Sequence, residues 1–378
     1  MTTTPRRPAT SSPGITTPVA PGQRADAAPG GVPASATVGQ QPRQRRPGPV
    51  KGLVRAGAFL AAVVVFQLLF ASVFLGVLHR PVPHHAPVAV AGASPLAGLV
   101  ARHDGGMVRL TGAPDVGAAR AAVRDGRVNA AVAAGPHGQT LLIQTAASPG
   151  TAALLTRAFT AAAAALKVPL AVRDLAPLPA SDPTGTSAFF MIIAWVLGGY
   201  VGATVLAVLL GGPRSPSLRN ALLRLGLLAA YAAISGLLGA LLIGPALGVV
   251  SGYNAALAGL GILVVAAAAA ATTGLQAVLG LPGTLLAIIA MVVFGDPTAG
   301  ASIATPLLAS PWNLIGQGLP PGAGLTAARS ILYLGGVNLT GALTVLAVYA
   351  AAGTLLVLAA AAWRQHRPAG PAAAGQPA

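Results

Sequence analysis

The chain reads as an α-helical polytopic membrane protein, with six transmembrane helices and a small α/β extracytoplasmic domain between helices 1 and 2. Three observations carry that reading. Of 378 residues 54% are hydrophobic and only 8% charged, with a mean hydropathy of +0.73, whereas soluble domains carry about 25% charged residues. Apolar runs of about 20 residues, the length a helix needs to cross the hydrocarbon core, recur along the chain. Between the first two runs, short strand-like and helix-like pieces alternate over about a hundred residues, the pattern of one compact α/β domain.

Residues 1–50 consist mostly of Pro, Ala, Thr, Ser, Gly and Arg, with almost nothing to bury. They predict a disordered cytoplasmic tail. They are not read as a secretory signal, because the first apolar run starts about fifty residues in and is too long. Residues 56–78 form the first span, interrupted by Gln67 and Ser72. Arg43, Arg45, Arg46, Lys51 and Arg55 precede it closely and only Arg80 follows closely. The positive-inside rule therefore places the N-terminus in the cytoplasm.

Residues 79–187 then fall outside. This stretch holds nine basic residues and five of the seven acids, all of them Asp. Its arginines do not upset the topology, since long domains translocate largely regardless of charge. Strands are predicted at 88–90, 107–110, 128–133, 141–145 and 170–172, and helices at 96–102, 116–125 and 151–167. The stretch "PDVGAARAAVRDGRVNAAVAAG" illustrates the logic. Asp115 stands at an N-cap, Val116, Ala119, Ala122 and Val123 recur at helical spacing, and Gly126 stops the helix.

The second span is 188–210. Residues 211–224, "GGPRSPSLRNALLR", follow with Arg214, Arg219 and Arg224 and no acid, as a cytoplasmic loop should. The third span is 225–243, and an uncharged outer turn follows at 244–254. Residues 255–294 are forty nearly continuous apolar residues, about 60 Å of helix and so two crossings of a core about 30 Å thick. The fourth and fifth spans are placed at 255–273 and 276–294, reversing near Gln276, Gly280, Pro282 and Gly283. A re-entrant pair of half-helices is the alternative. Residues 295–340 form a Gly- and Pro-rich outer loop with a short helix at 323–334. The sixth span is 342–362, and Trp363, Arg364 and Arg367 place the tail 363–378 in the cytoplasm. The expected location is the plasma membrane, multi-pass, with both termini cytoplasmic.

Several chemistries find no support. With no cysteine, thiol catalysis and thiolate metal sites are excluded. The charges, 23 basic against seven acidic, are scattered around apolar spans rather than striped on one face, so a nucleic-acid partner is not expected. A P-loop lysine stands between Gly and Ser or Thr, but Lys51 follows Val50 and Lys167 follows Leu166. No G-x-S-x-G elbow and no potassium-type filter occurs. No ionisable residue falls in the core of a span, with Arg224 at a membrane edge, which disfavours proton-coupled antiport. His79, His84, His85 and His103 gather near the start of the outer domain without acidic or thiol partners. They read as polar residues of a Pro-rich linker rather than as a metal site. No cofactor or metal is expected, and the chain is not read as an enzyme.

Two segments invite a functional reading. Pro216 and Ser217 suit a helix start, with Leu218, Leu222, Leu223 and Leu225 as an apolar stripe beside Arg219 and Arg224. This is either a plain basic loop or an interfacial helix that docks on a cytoplasmic protein. In the segment after the fifth span, Trp312 and Tyr333 suit a membrane interface, Pro320, Pro321, Gly322 and Gly324 shape a turn, and Asp296 and Arg329 are the only charges. An Asp296–Arg329 ion pair is expected there.

One span, an α/β outer domain and five further spans, with "DVGAARAAVRDGRVNAAVAAG" in the outer domain and "FGDPTAG" and "LLASPWNLIGQGLPPGAGLTAARSILYLGG" before the last span, resemble a membrane subunit of type-2 ABC exporters. The similarity is to a small bacterial branch related to the phage-infection-protein family, over about residues 56–365. The resemblance implies a permease that dimerises, as a homodimer or a paired permease, and works with a separate ATPase subunit. It implies a coupling helix at 216–224, with Pro216, Arg219, Leu222 and Arg224 facing the ATPase. The segment before the last span is the candidate outer gate, with Asp296, Trp312, Pro320 and Arg329. The alternative is a non-transport membrane scaffold, or a secretion or envelope accessory protein, acting through its outer domain.

Overall fold

The computed structural model describes residues 49–78, 82–103, 105–136, 138–249 and 252–366. All but the last two residues of the expected disordered tail, which start a helix instead, lie outside the described residues, as do His79, Arg80 and all but the first residues of the expected C-terminal tail. Among the described residues six helices are long and apolar enough to cross a membrane, by length and composition, the make-up of a multi-pass membrane protein.

Helix α1 (Pro49–Leu78) is followed by a five-stranded sheet of β1 (Ala86–Ala91), β2 (Val108–Ala113), β3 (Ala130–Gly135), β4 (Gly138–Ile143) and β5 (Leu170–Asp174). The order is β2-β1-β3-β4-β5, parallel except for the β3–β4 hairpin. Strand alternation sorts the core into two faces. Val88, Val132 and Leu141 face α2 (Pro95–His103) and α4 (Pro149–Leu166), where Leu155 and Phe159 are fully buried. Each such side chain contributes about 1.5–3 kcal/mol. Ala89, Ala131 and Leu142 face α3 (Val116–Arg124) through Ala119, Ala122 and Val123. The expected cap is present, with Asp115 Oδ1 accepting from the Ala118 amide at 2.7 Å. Val116, expected on the buried face, is exposed.

The remaining helices are α5 (Ser187–Leu209), α6 (Leu218–Leu241), α7 (Asn254–Leu279), α8 (Leu281–Ile288), α9 (Asp296–Thr298), α10 (Trp312–Gly318), α11 (Pro320–Tyr333) and α12 (Leu339–His366). Helix α7 is central, packed on α5, α6 and α12. Its run of small residues, including Ala267, Ala268 and Ala269, lets backbones approach closely where no large side chain intervenes.

Several expected boundaries move. The first span's helix starts at Pro49 rather than 56, the fourth span's helix runs to Leu279 rather than 273 and so takes in Gln276, and the fifth starts at Leu281 rather than 276. The loop expected at 211–224 ends early. Ser217 caps α6, its hydroxyl accepting from the Asn220 amide at 3.3 Å, and the helix runs unbroken to Leu241. The proposed coupling helix is thus the first two turns of α6 rather than a separate element. The outer loop expected at 295–340 is a packed structure. Helix α8 continues as a π-helical stretch, Ile289–Gly295, into α9, and the chain then turns irregularly before α10 and α11. Helix α11 is almost wholly buried against α5, α7 and α12. Its Gly- and Ala-rich face explains why composition suggested a loop. Those small residues permit close packing here.

Candidate functional site

The packed segment and the α/β domain enclose a cleft of about 1090 Å³. On the domain side its wall is the edge of the sheet where the parallel strands begin. Pro87 is the second residue of β1, Arg109, its register partner, is the second residue of β2, and Asn129 precedes β3. His84 and His85 stand on the same rim. Gln144, after β4, and Ser148 and Thr151, at the start of α4, complete the wall. On the opposite side lie Asn313 and Gln317 of α10, Thr326 and Arg329 of α11, and Ala342 and Val345 in the first turns of α12.

The two walls are joined at specific points. The His84 amide donates to the Leu307 carbonyl at 2.8 Å, and the Ala304 amide donates to Thr151 Oγ1 at 3.3 Å. Gly150, in the first turn of α4, lies so close to the Ser302 carbonyl that a Cβ there would overlap it. Glycine is therefore required by contact, not by backbone dihedral. Val73 and Val77 of α1 pack with Ile303 and Leu307 on the same segment.

Arg329 is the buried charge of the cleft. Nη1 donates to the Gly300 carbonyl at 2.8 Å and Nη2 to the Ala301 carbonyl at 3.4 Å. Burial depresses its pKa to about 10, opposed by the nearby Tyr333 and Asp182, so it stays cationic at neutral pH. Asp182 is buried at the end of the loop leading into α5. Its Oδ2 accepts from the Tyr333 hydroxyl at 3.1 Å and the Ser187 amide at 3.3 Å. Burial raises the Tyr333 phenol, and the Asp182 charge and hydrogen bond raise it further.

The residues expected to form a gate are only partly gathered. Arg329 lines the cleft, whereas Pro320 is buried at the start of α11 and is not among the lining residues. Trp312 starts α10 and packs toward α1, its Cζ2 lying 3.7 Å from where a Gly76 Cβ would be. Asp296 does not pair with Arg329. The only ion pair among the described residues is Arg127–Asp125. Asp296 stands at the start of α9 within electrostatic range of Tyr200, more than halfway along α5, and main-chain carbonyls take its place at Arg329. Arg109, Asn129 and the Tyr333–Asp182 contact were not anticipated. Nothing local marks them, because each acquires its role from a segment far away in the chain. His84 and His85 do come together at the cleft, while His103 lies apart with Nδ1 3.1 Å from the Leu99 carbonyl. Among the described residues no three His, Cys, Asp or Glu gather as metal ligands.

The far end of the bundle holds the other expected group. Pro216, Arg219 and Leu222 are exposed, as are Leu218 and Leu223. Arg224 is not. It is buried, donating to the Pro213 carbonyl at 2.9 Å, the Ala203 carbonyl at 3.2 Å and Gln276 Oε1 at 2.5 Å. Gln276 Nε2 in turn donates to Thr284 Oγ1 at 2.9 Å. Arg364 Nη1 donates to the Ala277 carbonyl at 2.8 Å and Arg214 Nη2 to the Val278 carbonyl at 3.3 Å. These are the last carbonyls of α7, which end at Gly280 (φ +75°) ahead of Pro282 and need donors from elsewhere. Two of the arginines thus cap α7, and Arg224 ties α5, α6 and α7 together. Arg224 is thereby removed from the expected docking surface.

The chain matches no protein-family model, no curated protein and no solved structure.

Proposed function

We propose that this chain is the membrane permease subunit of an ABC-type exporter, energised by a separate cytoplasmic ATPase. The observation that carries the reading is the cleft between the α/β domain and the segment linking α8 to α12. In membrane transporters, ligand sites collect where a spanning helix is interrupted and irregular backbone lines a cavity. Here the interruption after α9 forms one wall of a space large enough for a small-molecule cargo.

The far end of the bundle supports the partner. Pro216, Leu218, Arg219, Leu222 and Leu223 make an exposed apolar and basic patch on the first turns of α6, suited to an ATPase surface with an acidic rim. In this arrangement the patch and both termini are cytoplasmic and the cleft opens outside the plasma membrane. Two permease copies pair, and nucleotide-driven movement of α6 reaches the cleft through α7, which packs on both α6 and α11.

The test is purification of the tagged full chain from its native membrane. A stoichiometric ATPase that co-purifies, and whose ATP turnover rises on reconstitution with the chain, is the expected result. Envelope or secretion proteins in its place would make the chain a membrane scaffold acting through its α/β domain.

A further inference from the structure

We infer that the cleft takes an anionic amphiphile, a molecule with a phosphate-type oxyanion head and an acyl-like tail. The inference deepens the export reading and rests on the cleft being the cargo site.

Charge selects the head. His84, His85 and Arg109 stand on the domain wall and Arg329 on the other, and among the described lining residues there is no carboxylate. The chain has no Glu, and no Asp is among the described lining residues; Asp125, next in sequence to the lining Gly126, is paired with Arg127, and Asp182 accepts from Tyr333. Guanidinium groups recognise phosphate through several parallel N–H donors. Neutral amides, Asn129 and Gln144 on one wall and Asn313 and Gln317 on the other, add donors that an oxyanion accepts. Arg329 is already held by two main-chain carbonyls, so it meets the ligand as a fixed charge and loses little side-chain freedom on binding.

Size and the apolar lining select the tail. A cleft of about 1090 Å³ is slightly larger than the sites that hold drug-sized ligands, roughly 300–1,000 Å³, and far exceeds what a bare oxyanion fills. Leu307, Leu308, Leu334, Val337, Ala342 and Val345 form an apolar wall. The last two belong to α12, one of the six apolar spans, so this wall continues directly into a helix of lipid-facing composition. Polar donors at the sheet edge and an apolar surface running onto a span match a molecule that is itself half polar and half apolar.

The experiment uses the full chain in nanodiscs of zwitterionic phosphatidylcholine, without any ATPase. Lysophosphatidic acid is titrated against a monoacylglycerol of the same acyl chain and against inorganic phosphate, with binding read by native mass spectrometry. One lysophosphatidic acid is expected per chain, at least tenfold tighter than either comparison probe. The double variant Arg109→Gln/His84→Gln, both positions being exposed, is expected to weaken it at least tenfold. Ala147→Trp, which places an indole in the cleft, should abolish it. Arg120→Gln, an exposed arginine on α3 that does not line the cleft, should leave it unchanged. Equal binding of the neutral glyceride, full displacement by an equal concentration of phosphate, or indifference to the double variant would each overturn the inference. Binding without any ATPase partner would leave it standing while the export reading fell. ATPase-driven export by a chain that does not bind the probe would reverse that outcome.

Discussion

Arg224 Nη2 lies 2.5 Å from Gln276 Oε1, and through that contact one buried guanidinium connects α6 to the end of α7 while also reaching the Ala203 and Pro213 carbonyls. An arginine at a basic loop is ordinarily a topology signal. Here it is a structural tie. Replacing it with Leu removes three donors and leaves buried acceptors unpaired, at about 1–3 kcal/mol each. Arg224→Leu is expected to lower the unfolding midpoint in detergent by several degrees. Arg224→Lys should restore little, because a compact ammonium does not present the planar fork that spans these acceptors. A thermal scan of the two variants beside the parent chain measures both.

Arg219 lies five residues earlier on α6, about one and a half turns, and is exposed, so its substitution separates docking from folding. Arg219→Glu is expected to leave the stability within about 0.5 kcal/mol of the parent, as for other surface changes. On the export reading it reduces ATPase recovered in a detergent pull-down by about tenfold. Arg224→Glu does not provide this test, since loss of association there would follow from a broken helix contact. Undiminished recovery with Arg219→Glu would remove this face of α6 from the partner interface.

The α/β domain was legible almost element by element, because hydrophobic alternation, an Asp cap and a Gly stop are local signals. All five strands and all three helices of that domain were anticipated, with no edge displaced by more than three residues. The spans were legible for the same reason, since apolar length is visible in the chain itself. What sequence could not place was contact between distant segments. Arg224 appears as one of three loop arginines until Gln276 is brought beside it. Asp296 and Arg329 invite pairing as the only charges in their segment, yet the turn after α9 sends them apart. The Gly- and Pro-rich run before α12 has loop composition, but Gly and Ala also suit tight helix packing, and composition does not distinguish the two. Arg109 becomes a cleft residue only once the α/β domain is seated on the segment around Ser302, where Gly150 lies against the Ser302 carbonyl.

That seating is open to test. A Cβ at position 150 would overlap the Ser302 carbonyl, a backbone group with little room to move. Gly150→Ala is therefore expected to push α4 away from the segment around Ser302 and to cost about 1–3 kcal/mol, the usual range for overpacking. The hydrogen bond from the Ala304 amide to Thr151 Oγ1 should open with it. Hydrogen exchange at Ala304 and at the His84 amide, which donates to Leu307, is expected to rise at least tenfold. Protection in the sheet should be unchanged. Loss of protection throughout the sheet would mean that Gly150 serves the domain's own fold rather than its docking.

The Tyr333–Asp182 hydrogen bond, 3.1 Å long, makes a prediction in pH. Burial first, and then Asp182, raise the phenol's pKa in the folded chain above its usual value of about 10. Below about pH 10 the phenol is protonated in both folded and unfolded chains, and the contribution of the contact is fully present. Above that pH the unfolded chain releases the proton while the folded chain keeps it. Stability therefore falls by up to about 1.4 kcal/mol per pH unit from this group alone. Arg329, depressed by burial to about 10, acts in the opposite direction over the next units, because there the unfolded chain binds more protons. Comparing variants isolates the phenol. Tyr333→Phe is expected to be less stable than the parent at pH 8, since it leaves a buried carboxylate one donor short. Its stability should decline less steeply between pH 10 and 12, so that the two curves converge. Denaturant midpoints measured across that range give the slopes, and parallel curves would show that the contact does not hold the phenol's proton.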